Sequence, residues 1–302
     1  MIFIRASIAL LLLPTLLSAQ DGRTWDLVDA DFKHSQVGLV RIDAKGVTVD
    51  AGGRQSTVPL EKFLEMRSGS AAGESAEKYT LYLANGDVLR GEPIETTKDE
   101  KLRWRSNALG QVEVPLRDLR ALVKAGLNPA GIEEERKDDI IALANGDSVR
   151  GIFSTIDAEK IVMSENDLQI PFSSINWVFF AAPAQKKEAP ARAFRVRLAD
   201  GSIFSGPAVE VADQTLTLKL DARQSRQLPI SQVHQIEQMN GPVSWLSSRQ
   251  PDLARHIPFL EERYPPRMDL TVEGKPLRFA KQIYTRGIGV HARTILEWSL
   301  DG

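Results

Sequence analysis

The chain has 302 residues, 42% hydrophobic and 26% charged, and its 38 Lys and Arg against 40 Asp and Glu leave a net charge of −2. That balance excludes wholesale disorder and collagen-like repeats and lacks the basic surplus of a nucleic-acid binder, so nucleic acid is not an expected partner. With no cysteine, disulfides, thiolate metal sites, thiol nucleophiles and a lipid-modified N-terminal Cys are all excluded.

Residues 1–20 read MIFIRASIALLLLPTLLSAQ. Arg5 gives a positive start, Ala6 to Leu17 form an apolar run broken by Pro14, and Ser18-Ala19 offer small residues for cleavage. This is the secretory signal pattern, and it assigns 1–19 as a signal peptide. The apolar run is shorter than the ~20 residues a spanning helix needs. An uncleaved membrane anchor is the alternative, since Leu17 is not ideal just before the cleavage site. No later stretch is long or apolar enough to span. The expectation is an exported protein (periplasmic, cell-surface or secreted) with no membrane span once the signal is removed.

Three segments then open alike: YTLYLANGDVLRG (79–91), IIALANGDSVRG (140–151) and FRVRLADGSIFSG (194–206). Each runs an apolar strand pattern into Asn85-Gly86, Asn145-Gly146 or Asp200-Gly201, and a further glycine follows at Gly91, Gly151 and Gly206. These dipeptides predict two-residue type I′ hairpins with both central residues at positive φ. Four segments close alike: STVPLEKFLEM (56–66), VEVPLRDLRAL (112–122), LQIPFSSINWV (168–178) and RQLPISQVHQI (226–236). Their prolines, Pro59, Pro115, Pro171 and Pro229, are spaced 56, 56 and 58 apart. Proline pushes the residue before it toward β geometry and suits the first position of a helical turn, and the apolar residues one and four places later share one face of that turn. Alternating stretches such as Lys101 to Trp104 and Thr215 to Leu218 supply a middle strand.

About five short strands with a helical turn before the last is the plan of a small SH3-like or Sm-like barrel. The predicted units are 23–67, 78–124, 138–181 and 193–239. The first diverges most. Arg23-x-Trp25 at its start and Val58-Pro59-Leu60-x-Lys62 at its end resemble the SH3-like homology domain of endocytic adaptors, with Ala30 near that family's early glycine. Linkers at 67–77, 124–139 and 181–193 give a picture of four beads on a string, with the charge run EEERKDD (133–139) as a solvated linker face.

Catalytic constellations are missing. His34, His234, His256 and His291 form no metal-ligand spacing, and no GxSxG elbow, Walker-type loop or GxGxxG is present. Gly287-Ile288-Gly289 reads as a strand needing close backbone approach. A glycosidase needs two carboxylates about one bond. Asp29 with Asp31, or Asp138 with Asp139, are such neighbours, but among 40 acids they arise by chance. No catalytic residue, metal site or cofactor is expected, and the chain is not read as an enzyme. Sm-like barrels elsewhere bind RNA, which an exported near-neutral chain seldom meets. SH3-like edges and loops also take peptides, so proteins are candidate partners of the repeats; Trp104, Trp177, Phe179 and Phe180 lie in apolar alternations that favour core packing instead.

From Gly241 the texture changes, with no Asn-Gly opening and no repeat proline. Gly274-Lys275-Pro276-Leu277, the string Tyr284-Thr285-Arg286-Gly287-Ile288-Gly289-Val290-His291-Ala292, a strand ending Leu300-Asp301-Gly302, and the upstream Val243-Ser244-Trp245-Leu246-Ser247 are similar to the carbohydrate-binding module first noted beside family 98 glycoside hydrolases (NPCBM). The family's domain continues beyond this point, so 241–302 is expected to be an incomplete module that leaves unpaired edges and an uncovered apolar face. Arg293-Thr294 stands where members often show a Ser. The resemblance implies a galactose-binding-like β-sandwich with its sugar site in loops at one end. Trp245 and Tyr284 are the candidate stacking platforms, and Arg286 and His291 the hydrogen-bonding partners. Tyr284, Gly287, Gly289 and His291 read alternatively as a structural corner with His291 buried. Trp298, alternating with Leu296 and Leu300, reads as core.

The expected fold is thus all-β: tandem small SH3-like barrels followed by a truncated galactose-binding-like β-sandwich. The expected function is that of an exported, non-catalytic modular protein that binds a polysaccharide or glycan through its C-terminal module, with the repeats as spacer or adaptor. The alternatives are a protein–protein interaction scaffold without sugar binding, and an accessory part of a glycoside hydrolase whose catalytic region is not in this chain.

Overall fold

A computed structural model describes residues 22–69, 76–129, 131–132, 134–181, 192–220, 225–257, 265–275, 277–279, 282–284 and 286–300. The signal segment 1–19 lies outside them. Among the described residues, regular structure is β-strand and three-residue 3-10 turns, so the fold is all-β. No helix among them is long and apolar enough to cross a membrane.

Each repeat is an antiparallel meander whose last strand returns to pair with its first. The first unit comprises β1 (Thr24–Asp29), β2 (His34–Asp43), β3 (Gly46–Ala51), β4 (Arg54–Val58) and β5 (Phe63–Ser68), with β5 on β1. The second comprises β6 (Tyr79–Leu83), β7 (Val88–Thr96), β8 (Lys101–Ser106), β9 (Gly110–Pro115) and β10 (Leu119–Lys124), with β10 on β6. In the other two units the long second strand is broken. The third has β11 (Asp139–Leu143), β12 (Ser148–Gly151), β13 (Phe153–Ile156), β14 (Lys160–Met163), β15 (Gln169–Pro171) and β16 (Ile175–Phe179), with β16 on β11. The fourth has β17 (Ala193–Leu198), β18 (Ile203–Gly206), β19 (Ala208–Ala212), β20 (Thr215–Lys219), β21 (Ser225–Pro229) and β22 (Val233–Met239), with β22 on β17.

The closing prolines act one residue earlier than a first-turn position would put them. Pro59, Pro115, Pro171 and Pro229 keep extended ψ angles of 149°, 135°, 142° and 131° and precede 3-10 turns at Leu60–Lys62, Leu116–Asp118, Phe172–Ser174 and Ile230–Gln232. The apolar residues four places after the prolines, Phe63, Leu119, Ile175 and Val233, are all buried, as are Leu60, Phe172 and Ile230 one place after; Leu116 is half-buried. Trp25 and Trp104 are fully enclosed, and the Trp104 indole donates to the Arg90 carbonyl at 3.3 Å. Their large apolar area anchors the cores of the first two units.

The opening turns differ from the type I′ expectation. Only the glycines take positive φ (Gly86 81°, Gly146 94°, Gly201 87°), while Asn85, Asn145 and Asp200 do not. Gly86 N–H donates to Leu83 O at 3.0 Å, and Leu83 N–H to Asp87 O at 2.9 Å, and the other two turns repeat this pattern. This is a type I turn ending in a left-handed glycine, the usual three-residue hairpin solution. The Asn or Asp side chain is used as a local cap: Asn85, Asn145 and Asp200 accept the backbone N–H two residues on at 3.0, 3.0 and 2.8 Å. Each turn is also tied to its own 3-10 turn, since Ala84, Ala144 and Ala199 donate to Asp118, Ser174 and Gln232, as Ala30 does to Lys62.

The units are not beads on a string. β5 pairs with β22, β10 with β16, and β18 with β7, which joins the units in the spatial order first, fourth, second, third. The joins are between equivalent residues. Met66 faces Ile236 and Leu122 faces Val178, and all four stand seven places after their unit's proline. Val88 faces Ile203, each two places after its turn glycine. Ile42 facing Val211 adds a second contact between the first and fourth units. The Ile156 N–H donating to Thr96 Oγ1 at 2.9 Å adds one between the second and third. Arg23, which donates to the Ile230 and Val233 carbonyls at 3.2 Å, staples the first unit to the fourth. The reason is the fifth strand: left alone, its second edge would expose unpaired N–H and C=O groups.

The units thereby share one 19-stranded sheet, through which neighbouring strands run β2-β1-β5-β22-β17-β18-β7-β6-β10-β16-β11-β12. A line of opposed residues on its outer face runs from Asp26 and Arg67 through Gln235, Arg197, Ile203 and Val88 to Tyr82, Ala121, Phe179, Ile140 and Arg150. One half of this face is polar and the other apolar. The linker before the third unit covers the apolar half. Ile132 packs with Ala121, Val123 and Phe179, and the Arg136 guanidinium lies 4.4 Å from the Phe179 ring, which stacks on Trp177. The charge run is therefore not simply a solvated face. Asp139, at its end, is 2% exposed and accepts N–H bonds from Ala181 and Phe153 at 2.6 and 2.8 Å. Burial pushes its carboxyl above the usual range against the pull of those bonds.

The repeat glycines mark close approach. A Cβ on Gly91 or Gly206 would sit 2.0 Å from the carbonyl oxygen of Arg105 or Lys219. Gly206→Ala is expected to destabilise the protein by about 1–3 kcal/mol through overpacking. Thermal or denaturant unfolding checks this, and an unchanged midpoint would contradict it.

Candidate functional site

After β22 the chain forms nested strand pairs rather than another meander. β23 (Leu253–His256) pairs with β28 (Thr294–Glu297), β24 (Arg267–Met268) with β27 (Ile288–Gly289), and β25 (Leu277–Phe279) with β26 (Gln282–Tyr284). A second layer that would make this segment a sandwich is not seen among the described residues. Of the described residues in 241–300 only Ser247 and Gly289 are buried. Among the described residues, eight of the twelve exposed large hydrophobic ones lie here: Leu246, Leu253, Ile257, Phe279, Tyr284, Val290, Ile295 and Leu300.

Arg286 holds the segment to the repeats. Its Nε donates to Glu237 Oε1 at 2.8 Å and its Nη1 to Asp269 Oδ2 at 3.1 Å and Ser248 Oγ at 3.4 Å. The Arg286 and Glu237 side chains are 13% and 6% exposed. Burial alone would lower the guanidinium's pKa, but Glu237 and Asp269 outweigh it and raise it above its ordinary value. Glu237 sits on β22, on the polar half of the sheet face, opposite Glu65. Glu65 is compensated separately, by Arg67 at 2.7 Å and by the Gln235 amide at 2.6 Å. Asp269, at φ 57°, also receives the Gly287 N–H on Oδ1 at 3.1 Å, so one carboxylate holds both Arg286 and the backbone beside it. Arg286 is thus committed to protein carboxylates rather than offered as a sugar donor.

The other three predicted site residues are placed as follows. Trp245 is half-buried, edge-on to Phe32 with ring centroids 6.0 Å apart, so it docks the segment onto the β1–β2 turn of the first unit. Its carbonyl accepts from Ser248 N–H in the 3-10 turn Leu246–Ser248, the turn that Arg286 reaches. Tyr284 lies on β26 and is exposed. His291 is exposed, and its carbonyl accepts from Thr294 Oγ1 at 2.8 Å, so it is not a buried corner histidine. Gly289 fits the close-approach reading, since a Cβ there would lie 2.2 Å from Leu270 O. Trp298 is half-buried and donates to Arg249 O at 3.2 Å, but Leu300 beside it is 73% exposed, so the predicted core alternation does not form.

Sequence reasoning missed Glu237, Asp269 and Ser248. Nothing in their local sequence marks them, because their partners lie in distant strands. Of the acid pairs considered for catalysis, Asp29 is used as a turn cap, accepting N–H bonds from Asp31 and Lys33 at 2.9 and 3.0 Å. Among the described residues no group of three His, Cys, Asp or Glu is arranged to hold a metal ion. Compared with known proteins, the chain matches no protein-family model, no curated protein and no solved structure.

Removing one partner of a buried ion pair typically costs about 3–5 kcal/mol, because the other charge is left uncompensated. Arg286→Ala is expected to release the C-terminal segment while the repeats stay folded. Limited proteolysis would show new cleavage confined to 241–300; an unchanged digestion pattern would contradict the anchoring role.

Proposed function

We propose that the chain is an exported, non-catalytic protein that binds carbohydrate through its C-terminal segment. The four repeats, read as SH3-like barrels, serve as its platform. The observation that carries this reading is the β25–β26 hairpin. By its register, with Leu277 opposite Tyr284 and Phe279 opposite Gln282, Phe279 and Tyr284 share one face, and they are 76% and 38% exposed. Two aromatic rings turned to solvent on one side of a hairpin suit stacking against the C–H faces of a sugar ring. The NPCBM resemblance points to the same chemistry and includes Tyr284 in its most specific string. Arg286 and Trp245 become the anchors of this segment, while His291 remains a candidate hydrogen-bonding partner. The repeats, joined in one sheet, serve as the base on which the hairpin is carried.

A second reading, an interaction scaffold with protein partners, draws on the aliphatic character of the rest of the exposed set, Leu246, Leu253, Ile257, Val290, Ile295 and Leu300. A glycan array on the folded protein separates the two. The carbohydrate reading expects binding of a defined glycan class, weakened about three- to tenfold by Tyr284→Ala through loss of an aromatic contact. Absence of glycan binding would leave the scaffold reading in its place, and binding indifferent to both Tyr284→Ala and Phe279→Ala would overturn the hairpin as the binding site.

A further inference from the structure

The contact between the second and fourth units is built from the residues just after their opening turns. Around the facing pair Val88 and Ile203 it is reciprocal. The Ser202 hydroxyl accepts the Arg90 N–H at 3.0 Å, and the Asp87 carboxylate accepts the Ser205 N–H. Asp87 and Ser202 hold the same place after the turn glycine, and so do Arg90 and Ser205. Arg90 also lies over the opposing turn, with its Nε 3.7 Å from where a Gly201 Cβ would be. The contact closes over its polar groups, leaving Asp87 5% and Ser202 0% exposed.

The third unit carries nearly the same string without a partner for it. Asn145-Gly146-Asp147-Ser148-Val149-Arg150-Gly151 matches Asn85-Gly86-Asp87-Val88-Leu89-Arg90-Gly91 at the turn, the acid, the arginine and the closing glycine. Asn145 holds Asp147 as Asn85 holds Asp87, donating to its carboxylate at 2.7 Å and accepting its N–H at 3.0 Å. β12 pairs with β11, and among the described residues no other strand register includes it. Asp147, Ser148 and Arg150, the counterparts of the contact residues Asp87, Val88 and Arg90, are exposed. This is an open sheet edge of the kind that templates pairing with another chain.

We propose that β12 is a docking edge for a second copy of this chain. The two third units meet about a two-fold axis at Ser148, which places Arg150 of each copy over the Gly146 turn of the other, diagonally beside Asp147, as Arg90 lies over the Gly201 turn beside Ser202. A second copy is the occupant because the contact already used inside the chain sets equivalent residue against equivalent residue, the defining property of a two-fold interface. The charges fit that occupant. The residue that Asp87 touches diagonally across the internal contact is Ser205, whereas the equivalent residue across a β12–β12 contact is Arg150. Self-pairing therefore creates two Asp–Arg pairs with charge-assisted hydrogen bonds. The first unit, whose equivalent edge ends the sheet's other side, does not fit. Asp29 N–H donates to Lys33 O as Leu83 N–H does to Asp87 O, so Lys33 stands where Asp87 does and would face Arg150 with like charge.

Sedimentation velocity over a concentration series tests this with the purified protein, Asp147→Arg, Arg150→Glu, and an equimolar mixture of the two variants. The wild type is expected to form a dimer and nothing larger. Each variant alone faces like charges across the axis and should dimerise about tenfold more weakly or worse. When one variant pairs with the other, every arginine at the interface again faces a carboxylate, so the mixture should recover the dimer. Both positions are exposed, and circular dichroism would verify that the variants are folded. A wild type that stays monomeric, one that grows into polymers, single variants that dimerise as well as wild type, or a mixture that fails to recover would each overturn the proposal.

Discussion

The unpaired edge of the fifth strand is the constraint on which this molecule depends. A five-stranded meander that returns its last strand to its first leaves that strand with a second row of backbone donors and acceptors, and water or another strand must satisfy them. Four such meanders in one chain can solve the problem for one another, and here they do so with like against like. Met66 lies on Ile236 and Leu122 on Val178. Because the paired strands are equivalent, each join is locally two-fold, and the repeats resemble subunits of an assembly held in one polypeptide. The order in space then follows the joins rather than the sequence.

Joining the units creates a surface that none of them has alone, a shared sheet face that is polar at one end and apolar at the other. Its composition explains what lies on it. The apolar half receives Ile132 and the Arg136 guanidinium from the linker between the second and third units. The polar half receives Arg286, which neutralises Glu237. A carboxylate as enclosed as Glu237 needs a cation, and the C-terminal segment supplies it from forty-nine residues further along the chain. The segment gains little from its own packing, since almost nothing in it is buried, so it depends on this pair, on the Trp245–Phe32 contact and on Asn128 donating to Gly274 O at 3.0 Å. Two of these anchors, Gly274 and Arg286, flank the β25–β26 hairpin directly.

The repeat was legible from the chain because it rests on local chemistry. Pro59, Pro115, Pro171 and Pro229 mark the 3-10 turns, the Asn-Gly and Asp-Gly pairs mark the opening turns, and alternation marks Trp104 and Leu216 as core. The turn type was misread because Asn85 and Asp200 can serve either at positive φ or as a side-chain cap, and the spacing of strands around the loop decides which. The joins between units were not legible. A strand paired on one edge and a strand paired on both carry the same alternation, and the buried polar residues Gln235 and Glu237 make sense only once their partners across the seam are in place. For the same reason Arg286 read as a ligand-facing donor: a side chain's partners in a distant strand leave no mark on its neighbours in sequence.

If the fifth strands pair with one another, then β5, β22, β10 and β16 are interior strands hydrogen-bonded on both edges; if the units are independent, each keeps a solvent-facing edge. Amide hydrogen exchange at 65–67, 121–123, 177–179 and 235–237 distinguishes these directly. The account predicts slow exchange for every amide in these stretches, disappearing together as the protein unfolds. Alternating protection, with every second amide exchanging as freely as in an exposed edge strand, would contradict it.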